Sequence, residues 1–193
     1  WGFEGGGPIL PNRIFAGGAY GKTEPARNVF SYDADTNDYQ QIARDATFLE
    51  NISAKVTGEV TSKTRANFTY FRGNKQKFGR GASGFRPDET TYNQDGPTDL
   101  FKFEVNQTFG SNLFIVGRYA HTKNGFSLEP RGGREVQSYR DDSNVYHESY
   151  GWYQTLRPQD NIEIDGNMFK GRHDLKFGFG WRKSSVTSES GWP

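Results

Sequence analysis

The sequence predicts an all-β fold, an antiparallel up-and-down transmembrane β-barrel segment of about eight strands with short periplasmic turns and long extracellular loops. Three observations point there. Apolar and polar residues alternate with a period of two along successive runs, these runs come in pairs joined by tight polar turns, and long polar stretches separate the pairs.

The first pair covers Trp1 to Ile9 and Arg13 to Lys22, joined by Leu10-Pro11-Asn12, and a polar stretch from Thr23 to Asp45 follows. The second covers Thr47 to Val60 and Thr64 to Arg72 around Thr61-Ser62-Lys63. There Phe48, Ile52, Ala54, Val56 and Val60 share one face, while Asn51, Ser53, Lys55, Thr57 and Glu59 share the other. A second polar stretch runs from Gly73 to Pro97. In the third pair Phe101, Phe103, Val105 and Phe109 oppose Lys102, Glu104, Asn106 and Thr108, and the turn Gly110-Ser111-Asn112 leads back through Leu113 to Ala120. The third polar stretch runs from Lys123 to Asn144. The fourth pair alternates over Ile162 to Met168, turns at Lys170-Gly171-Arg172, and returns with Leu175, Phe177, Phe179 and Trp181 on one side. Pro158 is expected at the loop end of its strand, where a missing donor does least harm.

Connections therefore alternate between about three and about twenty residues, an asymmetry typical of outer-membrane barrels and uncommon in compact soluble domains. Runs ending at Asn12, Ser62, Ser111 and Gly171 descend to the periplasm in this reading. Tyr20, Tyr70, Phe71, Tyr119, Tyr150, Trp152, Tyr153 and Trp181 fall toward the other strand ends, as an aromatic girdle requires. A soluble β-sandwich also alternates, but its inner face does not normally oppose so many charges.

Composition agrees. Mean hydropathy is −0.87 while aromatics supply 16% of residues, a pairing that suits sheets with one ring-bearing and one wet face. Lys and Arg number 24 against 23 Asp and Glu, so no basic face is announced and nucleic acid is not expected as a partner. Cysteine is absent, which removes disulfides and thiolate metal sites.

Gly5-Gly6-Gly7-Pro8-Ile9 with Arg13-Ile14-Phe15-Ala16-Gly17-Gly18-Ala19-Tyr20 resembles the hairpin that opens the barrel of TonB-dependent outer-membrane receptors. Glu89 to Glu104, Gly125-Phe126-Ser127-Leu128, Arg157-Pro158-Gln159-Asp160 and Leu175 to Lys183 resemble the Oar-like branch, whose members bear a carboxypeptidase regulatory-like domain. The resemblance implies a barrel of about 22 strands around an N-terminal plug, moving a bulky ligand inward with energy relayed by TonB. The chain departs from that pattern in lacking the plug, the TonB box and the regulatory domain, and Ser190-Gly191-Trp192-Pro193 is not an aromatic-terminated last strand. It is expected to form the N-terminal part of the barrel, and an independently closed small barrel is the structural rival.

No catalytic assignment emerges, and no cofactor is expected. Ala16 to Thr23 misses the leading glycine of a phosphate loop, and Lys176-Phe177-Gly178-Phe179 lacks the glycine an RNA-recognition strand needs. Asp33, Asp35 and Asn37 present alternate oxygen side chains as a calcium loop does, but Asp38 replaces the sharp-turn glycine and Arg44 the bidentate glutamate. That stretch reads as a solvated acidic loop. His121, His147 and His173 show no triad or zinc spacing and read as ordinary polar residues.

The expected role is barrel wall in the cell outer membrane, with lipid as one partner, a bulky extracellular ligand as another, and the TonB system reached through other parts of such a receptor. Tyr32, Tyr39, Phe85, Arg86, Tyr92, Arg131, Arg134 and Tyr139 are the expected ligand-facing loop residues. The alternatives are a structural or adhesion barrel that transports nothing, and a soluble carbohydrate-binding sandwich.

Overall fold

The computed structural model describes residues 1–193, and it is all-β apart from one short 3-10 turn at Asp88–Thr90. The strands are β1 (Gly2–Leu10), β2 (Ile14–Thr23), β3 (Ala26–Asp33), β4 (Asp38–Thr61), β5 (Thr64–Arg80), β6 (Tyr92–Asp95), β7 (Thr98–Phe109) and β8 (Leu113–Pro130). They continue with β9 (Tyr139–Arg140), β10 (Tyr146–His147), β11 (Trp152–Leu156), β12 (Gln159–Lys170), β13 (His173–Ser184) and β14 (Thr187–Gly191). Every pairing is antiparallel. One sheet holds all but the small β9–β10 hairpin.

The lower part of the sheet is a meander in the order β1-β2-β4-β5-β7-β8-β12-β13. β3, β6, β11 and β14 are upward continuations of β2, β7, β12 and β13. Register shows this: pairing with β4 passes from Thr23–Leu49 to Ala26–Ala46 without a slip. Likewise pairing with β8 passes from Thr98–Asn124 to Asp95–Ser127 and from Gln159–Thr122 to Leu156–Gly125. The molecule is therefore eight long ribbons.

Prolines mark three of the four breaks: Pro25, Pro97 and Pro158. Proline cannot donate to a ladder, but the bonds around it persist. Thr47 N donates to Pro25 O at 2.9 Å, Gly96 N to Lys75 O at 2.9 Å, and Arg157 N to Asn124 O at 2.8 Å. Pro158 thus lies inside a ribbon, not at a loop, which corrects the sequence expectation. So do most of the polar stretches. The first long connection shrinks to residues 34–37 because β3 and the upper half of β4 pair, and only residues 81–91 and 131–151 remain as substantial upper loops. These ribbon tops mix apolar residues such as Phe30, Ile42 and Phe78 among polar ones without a sustained period of two, so they carry no alternation to detect.

In the lower sheet the pairing makes one face continuously apolar and gathers the charged side chains on the other, where Phe15, Phe71, Leu100, Phe114 and Val116 also lie. Along one row run Ala16, Val56, Phe68, Phe103, Tyr119, Ile162 and Trp181. On the opposite face Glu104 faces Arg118, which lies 3.2 Å away and also pairs with Asp165 and, at 3.6 Å, with Glu163. Neither face is covered. Only Ala43 and Val116 are buried apolar residues in the whole chain, while Phe103 is 46% and Phe179 62% exposed. A two-layer sandwich would bury one face of each sheet. β1 and β13 each pair on one side only, so the sheet is open.

Candidate functional site

The two upper loops fold onto each other as a cap over the ribbons. Tyr146 N donates to Phe85 O and Arg131 N to Thr91 O, each at 2.9 Å, so backbone bonds tie residues 81–91 to residues 131–151. Thr90, Thr91 and Ser149 are fully buried between them. The 3-10 turn is held by its own hydroxyls: Thr90 Oγ1 donates to Pro87 O at 3.1 Å and Thr91 Oγ1 to Asp88 O at 2.6 Å.

Two side-chain clusters organise the cap. In the first, the Arg86 guanidinium lies 4.1 Å from the Tyr150 ring centroid and 4.8 Å from that of Tyr92, a cation held between aromatic faces. Tyr150 also meets Tyr146 at 5.1 Å and Trp192 at 4.7 Å, both nearly edge-on. Burial pushes the Tyr92 hydroxyl above its ordinary pKa. In the second, His147 stands between two carboxylates, with Nδ1 3.1 Å from Glu89 and Nε2 3.0 Å from Asp141, and its ring stacks on Tyr139 at 4.8 Å. The bond to Asp141, then that to Glu89, raises the imidazole pKa, while the same imidazole holds Asp141 below the usual carboxylate range.

The eight residues expected to face ligand divide accordingly. Phe85, Arg86, Tyr92, Arg131 and Tyr139 meet in or beside the cap. Tyr32 and Tyr39 face each other across the tip of the β3–β4 hairpin, ring centroids 5.5 Å apart, outside it. The arginines are not free to take an anion: Arg131 pairs with Asp88, and Arg134 donates to Glu129 at 2.7 Å while covering Trp152 at 4.1 Å. Arg86 and Tyr92 are partly buried, and the other six are exposed. Sequence reading missed Tyr150 and His147 as organisers. The aromatic density of Tyr146-His147-Glu148-Ser149-Tyr150 was the available signal.

Asp33, Asp35 and Asn37 form a hairpin turn. Asp33 Oδ1 accepts from Asp35 N at 3.0 Å, Asp33 Oδ2 from Gln40 Nε2 at 2.9 Å, and Asn37 Oδ1 from the Tyr32 hydroxyl at 2.6 Å. These oxygens serve the turn, and Asn37 adopts the left-handed φ of 54° that asparagine tolerates. No group of three or more His, Cys, Asp or Glu side chains gathers to hold a metal.

A repeated motif bounds the apolar face from above. The Tyr20, Tyr70 and Tyr119 hydroxyls donate to Glu50, Asp99 and Asp160, each on the next strand two residues before the one facing the tyrosine. Two residues after each tyrosine comes Lys22, Arg72 or His121, directly opposite that carboxylate. Trp181 and Lys183 repeat the spacing on β13. Of the expected girdle, Tyr20, Tyr70, Tyr119 and Trp181 therefore form one line, Phe71 takes the polar face, and Tyr150 belongs to the cap.

No family model, no characterised protein and no solved structure matches the chain. What it can do is therefore argued from its two surfaces, an apolar face open to the surroundings and a polar cap above it. No helix is long and apolar enough to cross a membrane, which leaves strands to be considered.

Proposed function

We propose that the chain forms part of the wall of a TonB-dependent receptor in the cell outer membrane, with the apolar face against lipid and the cap turned to the outside, where it meets a bulky ligand. One observation carries the reading: across eight paired strands one uncovered face is continuously apolar, from Ala16 through Val56, Phe68, Phe103, Tyr119 and Ile162 to Trp181, while the other face holds a charge network with Phe15, Phe71, Leu100, Phe114 and Val116 set among it. In water an exposed aromatic and aliphatic sheet of this size is unfavourable at about 25 cal/mol per Å², whereas in hydrocarbon it costs nothing. On β7 the band from Phe101 to Phe109 is about 26 Å along the strand, or about 20 Å of height at the usual strand tilt, which spans most of an outer-membrane apolar belt about 25 Å tall.

The tyrosine–carboxylate line supports the placement, since amphipathic rings with polar tips favour the headgroup level. The glycine-rich opening hairpin and the Oar-like segments quoted above support the receptor assignment and the link to TonB. The test is fractionation. Recovery in outer membranes after an alkaline carbonate wash, with release only by detergent, is the expected result. A monodisperse protein in detergent-free buffer would refute the membrane placement and return the soluble reading.

A further inference from the structure

Arg86 is held in an unusual way. Arg131 and Arg134 beside it have carboxylate partners, Asp88 and Glu129, but Arg86 has none within ion-pairing distance. Its charge rests on the faces of Tyr92 and Tyr150 and on one hydrogen bond, Nη2 to Thr90 O at 3.0 Å. Its Nε is buried without a partner. An aromatic clamp of this kind recognises positive charge by ring quadrupoles and discriminates little among cations of similar breadth. A guanidinium that leaves one donor unsatisfied fills the clamp imperfectly, so another cation can replace it at small cost. The clamp lies near the surface: Arg86, Tyr92 and Tyr150 are each partly exposed, and Trp192, packed on Tyr150 at 4.7 Å, is 64% exposed. Arg86 itself sits on a short loop that begins at Gly81, whose φ is 87°.

We propose that the Tyr92–Tyr150 clamp is a binding site for an organic cation, a guanidinium or quaternary ammonium group carried by a ligand, and that Arg86 occupies this site in the free protein. The ligand displaces the arginine. Because Arg86 lies next to Phe85, whose carbonyl accepts from Tyr146, displacement also reports on how tightly the two loops are joined. This deepens the reading of the cap as ligand-facing and rests on it, but it does not require transport.

The experiment uses the whole chain in detergent. Arg86→Ala empties the clamp, and methylguanidinium and tetramethylammonium are titrated by calorimetry, with methylurea as the uncharged control. Amide exchange at Tyr146 is followed in parallel. Arg86→Ala is expected to bind methylguanidinium at least tenfold more tightly than the parent and to regain Tyr146 protection on adding it, but not on adding methylurea. Tyr150→Ala in the same background should abolish both effects. Binding no tighter than the parent's, binding that survives Tyr150→Ala, or a loosened cap that methylguanidinium fails to restore would each overturn the proposal. The membrane reading fails separately: a cation-binding cap on a protein that needs no detergent sinks that reading alone.

Discussion

The Tyr70 hydroxyl donates to Asp99 at 3.0 Å, reaching diagonally across β5 and β7, and Arg72 stands opposite the same carboxylate at 3.9 Å. Tyr20–Glu50 and Tyr119–Asp160 repeat the diagonal on the flanking strand pairs. Carboxylate, phenol and cation thus satisfy one another along a line where the apolar face gives way to polar residues. Tyr70→Phe removes one donor and leaves the ring, so unfolding stability should fall by about 1 kcal/mol. Chemical denaturation in detergent checks this, and a change of the same size in Phe71→Leu, on the other face, would remove the special role of the line.

Charge placed on the two faces should have unequal consequences. Phe103→Lys puts an ammonium in the middle of the apolar face and is expected to cost about 2–4 kcal/mol in a bilayer. Asn106→Lys, three residues along on the polar face, should cost under about 1 kcal/mol. Reversible unfolding from lipid vesicles measures both.

The His147 latch should depend on pH with a defined sign. Its imidazole pKa is raised, so the stabilisation it gives is complete below its ordinary value near 6.5 and is lost as pH rises through the raised value. Asp141 is lowered, so its share is complete above the ordinary carboxylate value near 4 and disappears as pH falls through the lowered one. Cap protection should be greatest between about pH 4 and 6.5. Amide exchange at Tyr146, corrected for intrinsic rates, should show protection falling in alkaline buffer, and His147→Gln should abolish the fall. Equal protection at about pH 6 and in alkaline buffer would remove the latch.

Gly79 has a φ of 73° and sits where β5 bulges against β6, and a Cβ there would run into Arg44 O. Gly79→Ala should destabilise the upper ribbons by about 1–3 kcal/mol or more. The loss should appear as exchange in β6 and upper β4, with the lower sheet unchanged. Uniform loss across the sheet would contradict the division into ribbon tops and body.

The lower sheet was legible because one of its faces is apolar: Phe101, Phe103 and Val105 on β7, or Leu175, Phe177 and Phe179 on β13, declare both strand and orientation. The ribbon tops were not. Arg27 and Asn28 on β3, Gln40 and Gln41 on β4, and Gln76 and Lys77 on β5 are polar on both sides, so pairing there rests on backbone bonds and on polar contacts such as Lys77 with Asp45 that no alternation announces. Proline read as punctuation is only a missing donor in an unbroken ribbon. At the cap, the aromatics and cations were visible one by one. Their pairing was hidden, because Arg86 with Tyr150, or His147 with Glu89, joins residues more than fifty positions apart across two loops.

Whether alternate side chains of the lower sheet touch lipid is decided most directly by quenching. Tryptophan is introduced as Phe103→Trp or as Glu104→Trp in a background where the four native tryptophans are phenylalanine, and the protein is reconstituted with acyl-brominated lipid. Strong quenching by the brominated chains at position 103, with little at 104 and the reverse for an aqueous quencher, is the expected result. Equal quenching of the two adjacent positions, or aqueous quenching of both, would contradict the membrane-facing assignment of the apolar face.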